Sequence, residues 1–109
     1  MEFAVITRAL DSTNVPPAAT VALAKATFQM LSSKQDSRIK AAYAWAGERG
    51  GILIVDVKSG EELQEVIGSL PFFNIVKTEI HALGTLQGTI KLLEQAEQRI
   101  AQMTPAGAR

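Results

Sequence analysis

The stretch that most constrains this chain is Ile52-Leu53-Ile54-Val55-Asp56-Val57, a run of β-branched and aliphatic residues. A short run of this kind reads as a strand within a packed core. It falls far below the roughly 18 to 20 apolar residues of a membrane helix, and no other apolar run approaches that length. Gly47-Glu48-Arg49-Gly50-Gly51 precedes it and supplies a flexible turn. The turn predicts a hairpin partner in Arg38–Ala46, where Tyr43 and Trp45 alternate with small residues. These glycines match neither a dinucleotide fingerprint nor a P-loop, and no helix starts there to hold a phosphate.

The remaining elements follow from periodicity. Glu2–Thr7 has the β-branched content of a strand, and Arg8–Val15 has the composition of a loop. Pro16 and Pro17 suit a helix start, with Thr13 or Asn14 as cap, and Val21, Ala24, Phe28 and Leu31 trace its apolar stripe. Ser59 and Glu62 have the spacing of a capping box. Leu63, Val66, Ile67 and Leu70 then form a short amphipathic helix that Pro71 closes. Ile75–Leu83 is a further strand. Leu86, Ile90, Leu93, Ala96, Ile100 and Met103 mark a last helix, which packs on its own domain or on a neighbour.

The order strand, helix, strand, strand, helix, strand is that of the ferredoxin-like α+β fold, an antiparallel four-stranded sheet with two helices on one face. Residues 1–84 would form this unit. Residues 85–109 would add a C-terminal helix and tail, serving packing or oligomerisation.

Composition removes several function classes. Eleven Lys and Arg balance eleven Asp and Glu, so the basic excess of a nucleic-acid or anionic-membrane binder is missing. There is no cysteine and one histidine, His81. Thiolate chemistry, thiolate metal sites and a multi-histidine site within one chain are thereby excluded. A cytoplasmic location is expected, with neither nucleic acid nor membrane as partner.

Two helices cover one face of four strands, so the composition of the other face carries the functional question. Strict alternation places Lys77, Glu79, His81 and Leu83 on the open face, with Val76, Thr78, Ile80 and Ala82 under the helices. The same rule puts Ala4 and Ile6, Tyr43 and Trp45, and Leu53 and Val55 on the open side. Phe3, Val5, Ile52 and Ile54 would face the helices. The open surface is then too apolar for water and should meet a partner or enclose a ligand.

Lys77, Glu79 and His81 point one way beside apolar and aromatic walls, the ingredients of proton transfer. Burial would raise the Glu79 pKa, whereas His81 and Lys77 would lower it. Glu79 or His81 would move the proton, and Tyr43 would donate to a developing enolate oxygen. Trp45, Lys77, Ile6, Leu53 and Val55 would line the substrate cavity. Duller readings stand beside these: His81 as an interface histidine, Lys77 as a solvated edge charge, and Tyr43 and Trp45 as interface filler.

Gly47, Asp56-Val57-Lys58-Ser59, Leu63, Leu70-Pro71-Phe72-Phe73, Glu79 and Ala82-Leu83 together resemble the muconolactone isomerase family. Met1-Glu2-Phe3-Ala4-Val5 is similar to that family's first strand. The resemblance implies a dimeric α/β barrel formed through open sheet faces, often assembled further, with a cofactor-free site inside. Glu79 falls where the family has Glu, Tyr43 where it has an aromatic and Lys40 where it has a base. Ala4, Ile6, Ala41, Ala44 and Leu53 stand where the family places polar groups. The expected function is therefore proton-transfer isomerisation or cyclisation on a small apolar cyclic or unsaturated metabolite, other than muconolactone, with no cofactor. A cofactor-independent monooxygenase and a non-catalytic oligomeric or ligand-binding barrel are the alternatives.

Overall fold

The computed structural model describes residues 1–11 and 14–103. Its elements are β1 (Glu2–Ala9), α1 (Pro17–Ser32), β2 (Ile39–Ala44), β3 (Gly50–Asp56), α2 (Gly60–Gly68), a 3-10 turn (Phe73–Ile75), β4 (Val76–Ala82) and α3 (Leu86–Met103). The strands form one antiparallel sheet in the order β2-β3-β1-β4. This is the expected α+β, ferredoxin-like arrangement.

The core lies between the central strands and α2 with the turn that follows it. Val5, Leu53, Val55 and Val57 pack there with Leu63, Val66, Ile67, Leu70, Phe72 and Ile75, all buried. The expectation for β3 was therefore inverted. Leu53 and Val55 are 2% and 0% exposed in this core, and they do not line the open face. Val5 lies directly opposite Leu53, and Phe3 opposite Val55. Opposed residues in an antiparallel pair share a face, so the burial of Val5 draws Leu53 and Val55 inward. Ile52 and Ile54 take the open side.

The expected stripe of α1 holds at Phe28 and Leu31, which pack against the core, but not at Val21. Val21 is 63% exposed, while Thr20 and Thr27 are buried. Their hydroxyls bond to the carbonyls of Pro16 and Leu23 four residues earlier, which satisfies them and leaves their methyls for packing. Pro16 occupies the N-cap position without a side-chain cap bond, so Asn14 does not serve as the cap, and Thr13 lies outside the described residues. On α2 the capping box is half formed. Ser59 Oγ accepts the Glu62 N–H at 3.2 Å, but Glu62 reaches the Lys58 N–H instead of that of Ser59.

β1 runs two residues beyond the expected Thr7, which brings Arg8 into the sheet. β3 likewise begins inside the predicted turn, at Gly50. No residue of α3 is buried, and the molecule measures 68 Å along its longest axis against 30 and 25 Å along the others. Among the described residues no helix is long and apolar enough to cross a membrane.

Candidate active site

The strand register arranges the open face in three rungs. His81, Ala4, Ile54 and Ala41 lie across the sheet in the first, and Glu79, Ile6, Ile52 and Tyr43 in the second. Lys77, Arg8 and Gly50 form the third, which Trp45 completes beyond the end of β2. The centre is aliphatic, one edge is charged, and the far edge is aromatic.

The charged edge holds a pre-formed pair. His81 Nε2 and Glu79 Oε2 lie 2.7 Å apart on side chains that are 56% and 63% exposed. Two residues along a strand share a face, so alternation alone brings these groups into reach. The His81 hydrogen bond, then its charge, holds the Glu79 carboxyl below its ordinary value, with Arg8 and Lys77 acting in the same direction. Slight burial opposes them and loses. In the single chain, with both side chains exposed, the neighbouring hydrogen bond and charges therefore outweigh burial.

Arg8, which has the sequence context of a loop, is a β1 residue on this face. It sits directly across from Lys77, so two cations occupy one rung beside Glu79. Its guanidinium lies 5.7 Å from the centre of the Trp45 ring, a cation–π distance. Trp45 is anchored in turn by its indole N–H, which donates to the Thr7 carbonyl at 2.8 Å. The signal that could have found Arg8 was the continuing alternation Ala4, Ile6, Arg8.

Lys77, Glu79, His81 and Ile6 are thus brought together, with Trp45 joined to them through Arg8. Tyr43 is not. It stands three strands from Glu79, roughly 14 Å at the usual strand spacing, and is 69% exposed. Leu53 and Val55 lie on the opposite face altogether. Two clefts of about 440 and 370 Å³ run along the C-terminal end of α1 and the outer edge of β2. The larger one includes Tyr43 among its lining residues. Among the described residues no cluster of His, Cys, Asp and Glu is grouped to hold a metal ion.

The sequence profile of the muconolactone delta-isomerase family matches residues 1–87. The chain belongs to this family. Its fold is that of a muconolactone isomerase crystal structure at 3.3 Å resolution, with a TM-score of 0.62 and 24% identity. That match covers 78% of this chain and 90% of the other. A 5-chloro-2-hydroxyhydroquinone dehydrochlorinase from Burkholderia phenoliruptrix AC1100, solved with 2,5-dihydroxybenzoquinone, shares the fold at a TM-score of 0.57 and 17% identity. It covers 81% of this chain and 98% of that one. No curated protein matches the sequence. Glu79 lies within the residues matched to the muconolactone delta-isomerase family, whereas α3 lies almost wholly beyond them.

Proposed function

We propose that this muconolactone delta-isomerase family member is a cofactor-independent enzyme that moves a proton on a small unsaturated ring bearing an anionic group. The observation that carries the reading is the hydrogen-bonded Glu79–His81 pair on an uncovered aliphatic sheet face. Glu79 is the resting base: its carboxyl is held ionised, and His81 orients it and can return a proton. Arg8 and Lys77 supply fixed positive charge for a substrate carboxylate or a developing enolate. Ile6, Ile52 and Ile54 form the floor on which an apolar ring rests, with Trp45 at its margin. The anionic group departs from the purely apolar metabolite expected from the sequence, and the placement of Arg8 is the reason.

A single open face does not exclude water. We infer that the open faces of two copies close over one another, which would desolvate the pair and set Tyr43 of one copy toward the charged edge of the other. The aliphatic centre of the sheet supports this reading, since covering Ile6, Ile52 and Ile54 lowers the free energy. The family membership and a fold neighbour solved with a dihydroxybenzoquinone support a ring of that size.

The test is turnover of a panel of unsaturated lactones and enols by the wild type, Glu79→Gln and Arg8→Gln. Glu79→Gln should remove activity while leaving the fold intact. Arg8→Gln should raise KM most for anionic substrates. Full activity in Glu79→Gln would exclude the proposed base.

A further inference from the structure

Helix α3 is an 18-residue helix without a buried residue. Leu86, Ile90, Leu92, Leu93, Ile100 and Met103 are each between 48% and 83% exposed. A helix standing alone in water is marginal, because most helical stability in proteins comes from packing an apolar face. Leu86, Leu93 and Ile100 recur at intervals of seven, and Thr89, Ala96 and Met103 each follow three residues later. This is the spacing of a coiled-coil seam, and it runs from the first residue of the helix to its last, over about 27 Å.

We propose that α3 pairs antiparallel with α3 of a second copy of this chain, forming an interface separate from the open sheet face. The argument for that occupant is the arrangement of sizes along the seam. Antiparallel pairing places Leu93 against Ala96 of the second copy, Ile100 against its Thr89, and Leu86 against its Met103. Every layer containing a small side chain is then completed by a large one. Parallel pairing would set Leu93 on Leu93 and Ala96 on Ala96, giving one crowded layer and one hollow one.

The flanks agree with this orientation. Ile90 and Leu92 would lie beside the aliphatic stems of Glu97 and Arg99 of the second copy, whose charged ends stay in water. Opposed helix dipoles add a small favourable contribution. Covering this stripe on both copies buries on the order of 1,200 Å², the lower end of stable specific interfaces.

The experiment is sedimentation of the full chain alongside Ile100→Glu, on the seam, and Gln98→Glu, on the outer face. Ile100→Glu should lower the assembly mass about twofold, as expected when one of two isologous contacts is lost. Gln98→Glu should leave the mass unchanged, and Trp45 emission should show that the sheet stays folded in both. Wild-type mass in Ile100→Glu overturns the proposal. Because the chain has no cysteine, orientation is read by mixing Leu86→Cys and Met103→Cys chains under oxidation. Disulfides joining the unlike chains support antiparallel pairing, while cross-linking of Met103→Cys chains to one another overturns it. Tyr43→Asp, on the open face, reports separately on the sheet contact.

Discussion

The buried hydroxyl of Thr27 holds two elements together: it donates to the Leu23 carbonyl at 2.9 Å and accepts the Phe72 N–H at 3.0 Å. Phe72 also meets Phe28 edge-on, with ring centres 5.8 Å apart, so the end of the α2 segment is seated on α1 by a polar and an aromatic contact. Thr27→Val preserves the volume but leaves the Phe72 N–H without an acceptor. It should cost about 1–3 kcal/mol, read as a lower denaturant midpoint at constant m-value. Thr27→Ser should recover most of the loss.

Close backbone approach makes Gly50 and Gly51 the least replaceable glycines of the hairpin: at Gly50, with φ 113°, a β-carbon would stand 2.2 Å from the Thr7 carbonyl oxygen. Gly51 has no such torsional constraint but is equally crowded. A β-carbon there would stand 2.2 Å from the Tyr43 carbonyl oxygen, within the strand pair itself. At Gly47 nothing lies within 4 Å, and only the positive φ of 88° resists substitution. Gly51→Ala should therefore prevent β2 from pairing and abolish cooperative unfolding. Gly47→Ala should cost only about 1–2 kcal/mol. Equal effects of the two in thermal melts would contradict this distinction.

Lys34 adopts φ 56°, the left-handed conformation, just beyond the end of α1. Its N–H bonds to the Leu31 carbonyl, closing the helix. Glycine carries no steric penalty in this conformation. Lys34→Gly relieves a left-handed penalty of about 1–2 kcal/mol, offset in part by about 0.5–1 kcal/mol of added unfolded-state entropy, and the balance should appear as a slightly higher melting temperature. A lower one would show that the side chain contributes more than its backbone costs.

Glu79 provides the pH test. Its carboxyl is held below the ordinary value by His81, then by Arg8 and Lys77. A depressed folded-state pKa contributes stability above the unfolded value, and this is lost as pH falls through the folded value. The NMR titration of the Glu79 carboxyl should accordingly have its midpoint below that of an ordinary glutamate, and His81→Ala should move it upward. An unchanged midpoint in His81→Ala would show that the 2.7 Å contact does not govern the charge. In an active enzyme the acid limb of the rate profile should move with the same substitution.

Much of this molecule was legible in its residues. The element order, the Ser59 cap, the Pro71 stop and the shared face of Lys77, Glu79 and His81 all follow from local rules about capping, φ restriction and alternation. The residues are ambiguous where both faces of an element carry similar side chains. In β3 every candidate is aliphatic, so alternation has no contrast to report, and only the pairing of Val5 with Leu53 assigns the faces. In α1 Thr20 and Thr27 are buried because their hydroxyls bond backbone carbonyls, which a stripe of apolar residues does not reveal. Arg8 looked like loop because its strand pairing is made with residues more than forty positions away.

By itself the chain of residues determined which segments become strands and helices, and that Lys77, Glu79 and His81 would share one sheet face. Those properties depend on neighbours a few positions apart. Which aliphatic residues turn inward, and the meeting of Arg8, Lys77 and Trp45 at the rim beside Glu79, was decided only by tertiary structure. Register and long-range contact set these outcomes, because in a sheet the partners that fix a side chain's surroundings come from distant parts of the chain.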